Sequence, residues 1–171
     1  MLVVSNTSPL RYLVEVEAVH VLPKLYSHVM TTPLVMAELC QGHFPDVVRR
    51  WAEHPPAWLQ IESATLLRFQ DRLDDGEASA VSLACERRAS LVLIDERPGR
   101  KAARSAGIEP RGTLGILARA GADGHLDFAA ALHALTTRTK FRSTPDLIAD
   151  AKRQYEILCR DLLGESHGET I

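Results

Sequence analysis

Short apolar runs alternate along this chain with longer stretches in which apolar side chains recur every three or four residues. Leu2-Val3-Val4-Ser5 is the first run and predicts a strand. It ends in Asn6-Thr7-Ser8-Pro9, after which Leu10, Leu13, Val14 and Val16 to Val19 follow a helical spacing. Hydroxyl side chains accept from the free N–H groups of a helix start, and proline there has no N–H to waste. Val21 to Tyr26 continues as helix passing into irregular chain. Ser27 to Thr32 is short and β-branched, a second strand, and Pro33 with Leu34, Val35, Ala37 and Leu39 begins the next helix. Gly42 and Pro45 end that helix. Val47 to Glu53 reads as a short helix with Trp51 on its buried side, His54-Pro55-Pro56 breaks the chain, and Trp58 to Glu62 alternates as a strand.

Leu73-Asp74-Asp75-Gly76-Glu77-Ala78 opens a helix of small apolar residues reaching Cys85, with Asp75 as a capping residue and Glu77 in its first turn. Leu91 to Ile94 is apolar without interruption, the mark of a strand buried on both faces, and stops at Asp95-Glu96. Arg100 to Ala106 predicts a helix and Gly107 to Arg111 a short edge strand. Thr113 to Ala120, Leu126 to Leu135 and Pro145 to about Leu163 predict three more helices. Strands in alternation with helices define an α/β fold around a mostly parallel sheet. Residues 1–140 form the α/β domain and 141–163 a helical extension packed on it. Residues 164–171 are expected to be a frayed tail.

Composition changes little in this picture. A net charge of -2 is neutral on whether the partner is a nucleic acid. The cysteines, Cys40, Cys85 and Cys159, are widely spaced and odd in number, which points to a reducing compartment, the cytoplasm. The start of the chain lacks a basic stretch leading into an apolar one, so no secretory leader is expected. No run is long enough for a membrane span.

In open α/β sheets, ligands bind beyond the carboxyl ends of the strands. Asn6 directly follows the first strand, and Asp95 and Glu96 follow the Leu91–Ile94 strand. Glu38 lies on the helix after the second strand, and Glu77 begins the helix that leads to Leu91. Each has an ordinary structural explanation: Glu77 suits a helix start, Asp95 could cap a turn, and Glu38 could face solvent. Together they bring three carboxylates and an amide to one sheet edge. Carboxylates within about 4–6 Å of one another repel unless one takes a proton or a cation sits among them. Hard oxygen donors suit Mg²⁺ or Mn²⁺, which can activate water and neutralise a scissile phosphodiester.

The segments VVSNTSPL (3–10), PLVMAEL (33–39), LDDGEASAVSLA (73–84), LVLIDERPGRKAA (91–103) and GTLGIL (112–117) stand in an order that resembles the PIN-domain family, in its branch of VapC-like, predicted nucleic-acid-binding proteins. The resemblance covers about residues 1–140. It implies a three-layer α/β/α sandwich, metal-dependent endoribonuclease activity on RNA, a homodimer, and in many relatives the toxin role of a toxin–antitoxin pair with a small antitoxin partner. By matching position, the metal ligands are Asn6, Glu38, Glu77 and Asp95, with Glu38, Glu77 and Asp95 catalytic. Ser8 lies beside the metal or a phosphate, and Arg100 holds Asp95 or touches substrate. Arg97, Arg100 and Lys101, with Arg11, Arg104 and Arg111 nearby, are candidates for the RNA backbone. None of the seven histidines has a ligand spacing.

Asn6 stands where the wider family has Asp. An amide oxygen ligates a hard cation without adding charge. A site of Glu38, Glu77 and Asp95 carries -3, ample for one divalent ion and thin for two spaced about 3.5–4 Å apart. The alternative reading is a weakened or inactive PIN fold that serves as an RNA- or protein-binding module.

Overall fold

A computed structural model describes residues 1–165. Five parallel strands form one sheet in the order β3-β2-β1-β4-β5. They are β1 (Leu2–Ser5), β2 (His28–Thr31), β3 (Leu59–Ile61), β4 (Leu91–Leu93) and β5 (Glu109–Arg111). Between them run α1 (Thr7–Glu15), α2 (Leu22–Leu25), α3 (Pro33–Leu39), α4 (Asp46–Glu53), α5 (Asp75–Glu86) and α6 (Arg97–Ser105). Helices layered on the sheet give the expected α/β/α architecture. Val3, Val4 and all of β4 are buried, which accounts for their unbroken apolar character.

The chain divides into two compact units, Met1–Thr113 and a second beginning at Leu114. The second comprises α7 (Thr113–Ala122, whose first residue closes the first unit), α8 (Phe128–Arg138) and α9 (Pro145–Glu165). Inside it Phe128 stacks on Tyr155 with ring centres 4.5 Å apart, and Leu132, Leu135 and Ala151 are buried. The boundary expected at residue 140 falls within this unit, between α8 and α9. The tail expected at 164–171 lies outside the described residues beyond Glu165.

Three local expectations are corrected. Helix α1 stops at Glu15 because Glu17 adopts a left-handed conformation (φ 58°), so Val16 and Val19 lie beyond it. Helix α6 starts at Arg97, three residues early. Asp74, not Asp75, caps α5, accepting from the Glu77 N–H at 2.8 Å.

Helix α5 is buried from Gly76 to Ala84 and packs against β1, β4, α3 and α6. Its Ala and Ser side chains permit that approach on every side. Ser79 Oγ donates to the Gly76 carbonyl and pairs with Thr32 Oγ1, so its polar atom is satisfied inside. Gly99 on α6 is equally constrained: a β-carbon there would lie 2.1 Å from Ile94 Cδ1, and Ile94 is wholly buried. Gly99→Ala is expected to destabilise the protein by about 1–3 kcal/mol, read as a lower urea midpoint at unchanged slope.

Candidate functional site

The sheet order puts β1 between β2 and β4, so the chain builds outward on one side of β1 and returns to its other side after β3. That reversal opens a crevice beyond the carboxyl ends of β1 and β4, where parallel sheets accommodate ligands. Ser5 is in register with Leu93, and the Asn6 N–H donates to the Leu93 carbonyl at 2.9 Å. The residues that follow the two strands therefore begin side by side.

The N-cap residues around the crevice are of two kinds. Thr32 and Asp74 occupy N-cap positions and spend their side chains on the helix, accepting from Val35 N–H and Glu77 N–H. Asn6 and Glu96 occupy the N-cap positions of α1 and α6, and neither caps. Asn6 Nδ2 points toward Glu96 Oε2 at 3.4 Å, and Ser8 Oγ donates to Glu96 Oε1. Asn6 is 3 % exposed and its Oδ1 is buried with no hydrogen-bond partner among the described residues. An unpaired buried acceptor costs about 1–3 kcal/mol, so this oxygen is oriented at the expense of the fold.

Two further carboxylates join this pair. Glu38 comes from α3 and is held by Thr7, whose Oγ1 donates to Glu38 Oε2 at 2.6 Å. Burial raises its pKa, the Thr7 bond lowers it, and the charges of Asp74 and Glu96 raise it further. Glu77, 5 % exposed in the first turn of α5, is pushed up to about 7 by burial, with the charges of Asp74, Glu96 and Glu38 adding to the effect. A hydrogen bond from the Asp74 backbone N–H works against that rise, and Oε1 lies 3.3 Å from where a Gly99 β-carbon would stand. The carboxylates thus feel one another's charge from three separate segments, the helix α3, the start of α5 and the end of β4.

Asp95 has different surroundings. Its Oδ1 accepts from the Thr113 N–H at 2.8 Å and its Oδ2 from Thr113 Oγ1 at 2.6 Å. Successive side chains of extended backbone point to opposite sides, so of Asp95 and Glu96 only one turns toward Asn6. That one is Glu96, which the sequence showed only as Asp95's neighbour. Burial pushes the Asp95 carboxyl up to about 6, against the Thr113 bonds that lower it. Arg100 is beside it: a Gly112 β-carbon would touch both Asp95 Oδ1 and Arg100 Nη1, although Arg100 itself donates to the Ile94 carbonyl at 3.1 Å. Arg97 and Lys101 are exposed on α6 and line a cavity bounded by none of the carboxylates. Arg11 is engaged by Glu15 and lies over Tyr12 and Phe44.

The donor set suits a hard divalent cation. A β-carbon on Gly76 would lie 2.8 Å from Glu38 Oε2, 3.4 Å from Asp74 Oδ1 and 3.6 Å from Asn6 Oδ1. Three oxygens converge there on space that only glycine leaves open. Among the described residues no three Asp, Glu, His or Cys side chains make a metal-binding group on their own. An amide oxygen with one or two carboxylates matches Mg²⁺, which keeps several waters in its shell.

Among the described residues no helix is long and apolar enough to cross a membrane. No curated protein and no solved structure matches the chain significantly. A family model described as a PIN domain matches residues 2–156, from the first strand into α9. It therefore takes in every strand of the sheet and each residue of the cluster at its switch point, and the chain belongs to the PIN-domain family.

Proposed function

We propose that the protein is a divalent-metal-dependent ribonuclease whose site is formed by Asn6, Glu38, Glu77 and Glu96. PIN domains are commonly nucleases and generally use divalent metal ions. RNA as the substrate follows from the resemblance of the ordered motifs. The observation that carries the reading is the buried, unpartnered Asn6 Oδ1 facing the same space as the Glu38 carboxylate. Protein interiors rarely leave such an oxygen unpaired unless something else binds it.

Asn6 and Glu38, whose oxygens face the space beside Gly76, would hold the cation together with water, and Glu77 would add its charge beside them. Glu96, fixed by Ser8 and Asn6, would bring a further carboxylate to the same crevice. Thr7 keeps the Glu38 carboxylate turned inward. Asp95 and Thr113 brace the end of β4 from the other side, so that Glu96 is presented to the crevice. When bound, the ion supplies Lewis acidity at the phosphodiester and lowers the pKa of attacking water.

The test is cleavage of mixed RNAs by the whole chain in Mn²⁺ or Mg²⁺, with EDTA and single-stranded DNA as comparisons. Cleavage of RNA abolished by EDTA supports the reading; metal-independent cleavage, or none under any condition, overturns it. Asn6→Asp adds a fourth charge to Glu38, Glu77 and Glu96. It is expected to tighten Mn²⁺ binding about tenfold by calorimetry, in keeping with a change at a ligand position. Unaltered affinity would remove Asn6 from the ligand set.

A further inference from the structure

Helix α6 has two faces. Gly99 and Ala103 are buried, Gly99 against Ile94 and close to Glu77 Oε1. Arg97, Pro98, Lys101 and Ser105 lie on the opposite face and line a cavity of about 420 Å³, closed by Phe69 and Arg72 from the loop before α5. A second cavity of about 610 Å³ shares Phe69 and Ser105 with the first and adds Arg68 and Arg88. Both volumes lie within the range of about 300–1,000 Å³ typical of ligand sites. Neither cavity is lined by Asp or Glu, in a chain whose net charge is -2. Arg97 and Lys101 make no ion pair among the described residues.

Phe69 stands where the two cavities meet, and its backbone is in the left-handed region (φ 65°). For a bulky side chain that conformation costs about 1–3 kcal/mol and marks a residue whose surroundings dictate its position. Its carbonyl accepts from the N–H groups of both Arg72 and Leu73 at 3.0 Å, which locks the turn that presents the ring. Arg72 is paired with Asp71 at the surface, which leaves Arg97 and Lys101 as the unpaired cations beside the ring. A flat ring beside such cations is the combination that holds single-stranded nucleic acid, through base stacking and phosphate contacts. Arg97 directly follows Glu96, so this basic trough begins one residue from the carboxylate cluster.

We propose that this trough is a subsite for single-stranded RNA, in which Phe69 stacks a base while Arg72, Arg97 and Lys101 hold neighbouring phosphates. The choice of RNA rests on the ribonuclease reading; the trough itself does not. It carries the strand flanking the scissile bond away from the carboxylates, which repel phosphate until a cation is present.

The experiment measures anisotropy of a fluorescein-labelled ten-nucleotide oligouridylate with the full chain in EDTA, where binding needs neither metal nor cleavage. Phe69→Ala is expected to weaken binding about tenfold, and Phe69→Trp to keep it within twofold of wild type. Thermal melts of both variants establish that they are folded. The Arg97→Ala/Lys101→Ala pair, on an exposed helix face, is expected to reduce the slope of log affinity against log salt by about 1.4, two phosphates at about 0.7 each. Equal affinity of folded Phe69→Ala and wild type overturns the subsite even if metal-dependent cleavage is found. Binding that depends on Phe69 without cleavage in any metal supports the subsite and overturns the nuclease reading instead. Competition by polyglutamate as effective as that by unlabelled oligouridylate assigns the trough to acidic polypeptides and overturns the RNA assignment.

Discussion

Glu38→Gln is expected to reduce metal-dependent RNA cleavage by about 10²–10³-fold, the range seen when one group acting on developing charge or holding a metal is lost. The substitution is close to isosteric. Gln still accepts the hydrogen bond from Thr7 Oγ1, so the side chain keeps its direction and loses only its charge. Because Glu38 carries a raised pKa in the company of Asp74 and Glu96, removing that charge relieves repulsion and does not weaken the fold. Activity and stability should therefore move apart: a large loss of cleavage, with a thermal midpoint at or above that of wild type at pH 8. Thr7→Val separates orientation from charge. It leaves the carboxylate in place without its tether, and a smaller loss is expected, about tenfold. The paired measurements are initial cleavage rates in saturating Mn²⁺ and circular-dichroism melts in EDTA. A Glu38→Gln protein cleaving within fivefold of wild type removes Glu38 from the machinery.

The strands and their parallel order were legible because parallel strands are buried on both faces and read as unbroken apolar runs, as Leu91 to Ile94 does. The convergence of Asn6, Glu38 and Glu77 was legible for a related reason: polar residues interrupting apolar patterns beside strand ends have few structural uses. The difference between Asp95 and Glu96 was not. Adjacent residues leaving a strand face opposite sides, and which side meets β1 depends on pairing register, here Ser5 opposite Leu93. The same limit hid the role of Asp74, since Asp74-Asp75 offers two equivalent caps until the helix phase selects one. Phe69 carried no sequence signal. Its significance comes from a positive φ and from cavities assembled by residues far apart in the chain.

The second large effect concerns pH. Glu77 has a carboxyl pushed up to about 7 in the fold, against about 4.3 in an unfolded chain. Folding thus favours the protonated form. The stability this group contributes is fully present below about pH 4.3 and is lost as pH rises through 7. Glu77→Gln replaces the carboxyl with a neutral group of similar shape and abolishes that loss. In EDTA at pH 8.5 the variant is expected to be more stable than wild type by about 3–4 kcal/mol, each pH unit between about 4.3 and 7 being worth about 1.4 kcal/mol. By pH 4 the difference should have closed. Added Mn²⁺ should work in the opposite sense. A ligand that binds only the folded state stabilises it by about 2.7 kcal/mol at a hundred times its Kd, and wild type, with the full carboxylate set, gains more than the variant. Urea titrations at pH 4, 7 and 8.5, with and without Mn²⁺, give both comparisons. If wild type and Glu77→Gln remain equally stable across that range in EDTA, the Glu77 carboxylate is not crowded by its neighbours. The electrostatic case for a cation at the β1–β4 crevice then fails with it.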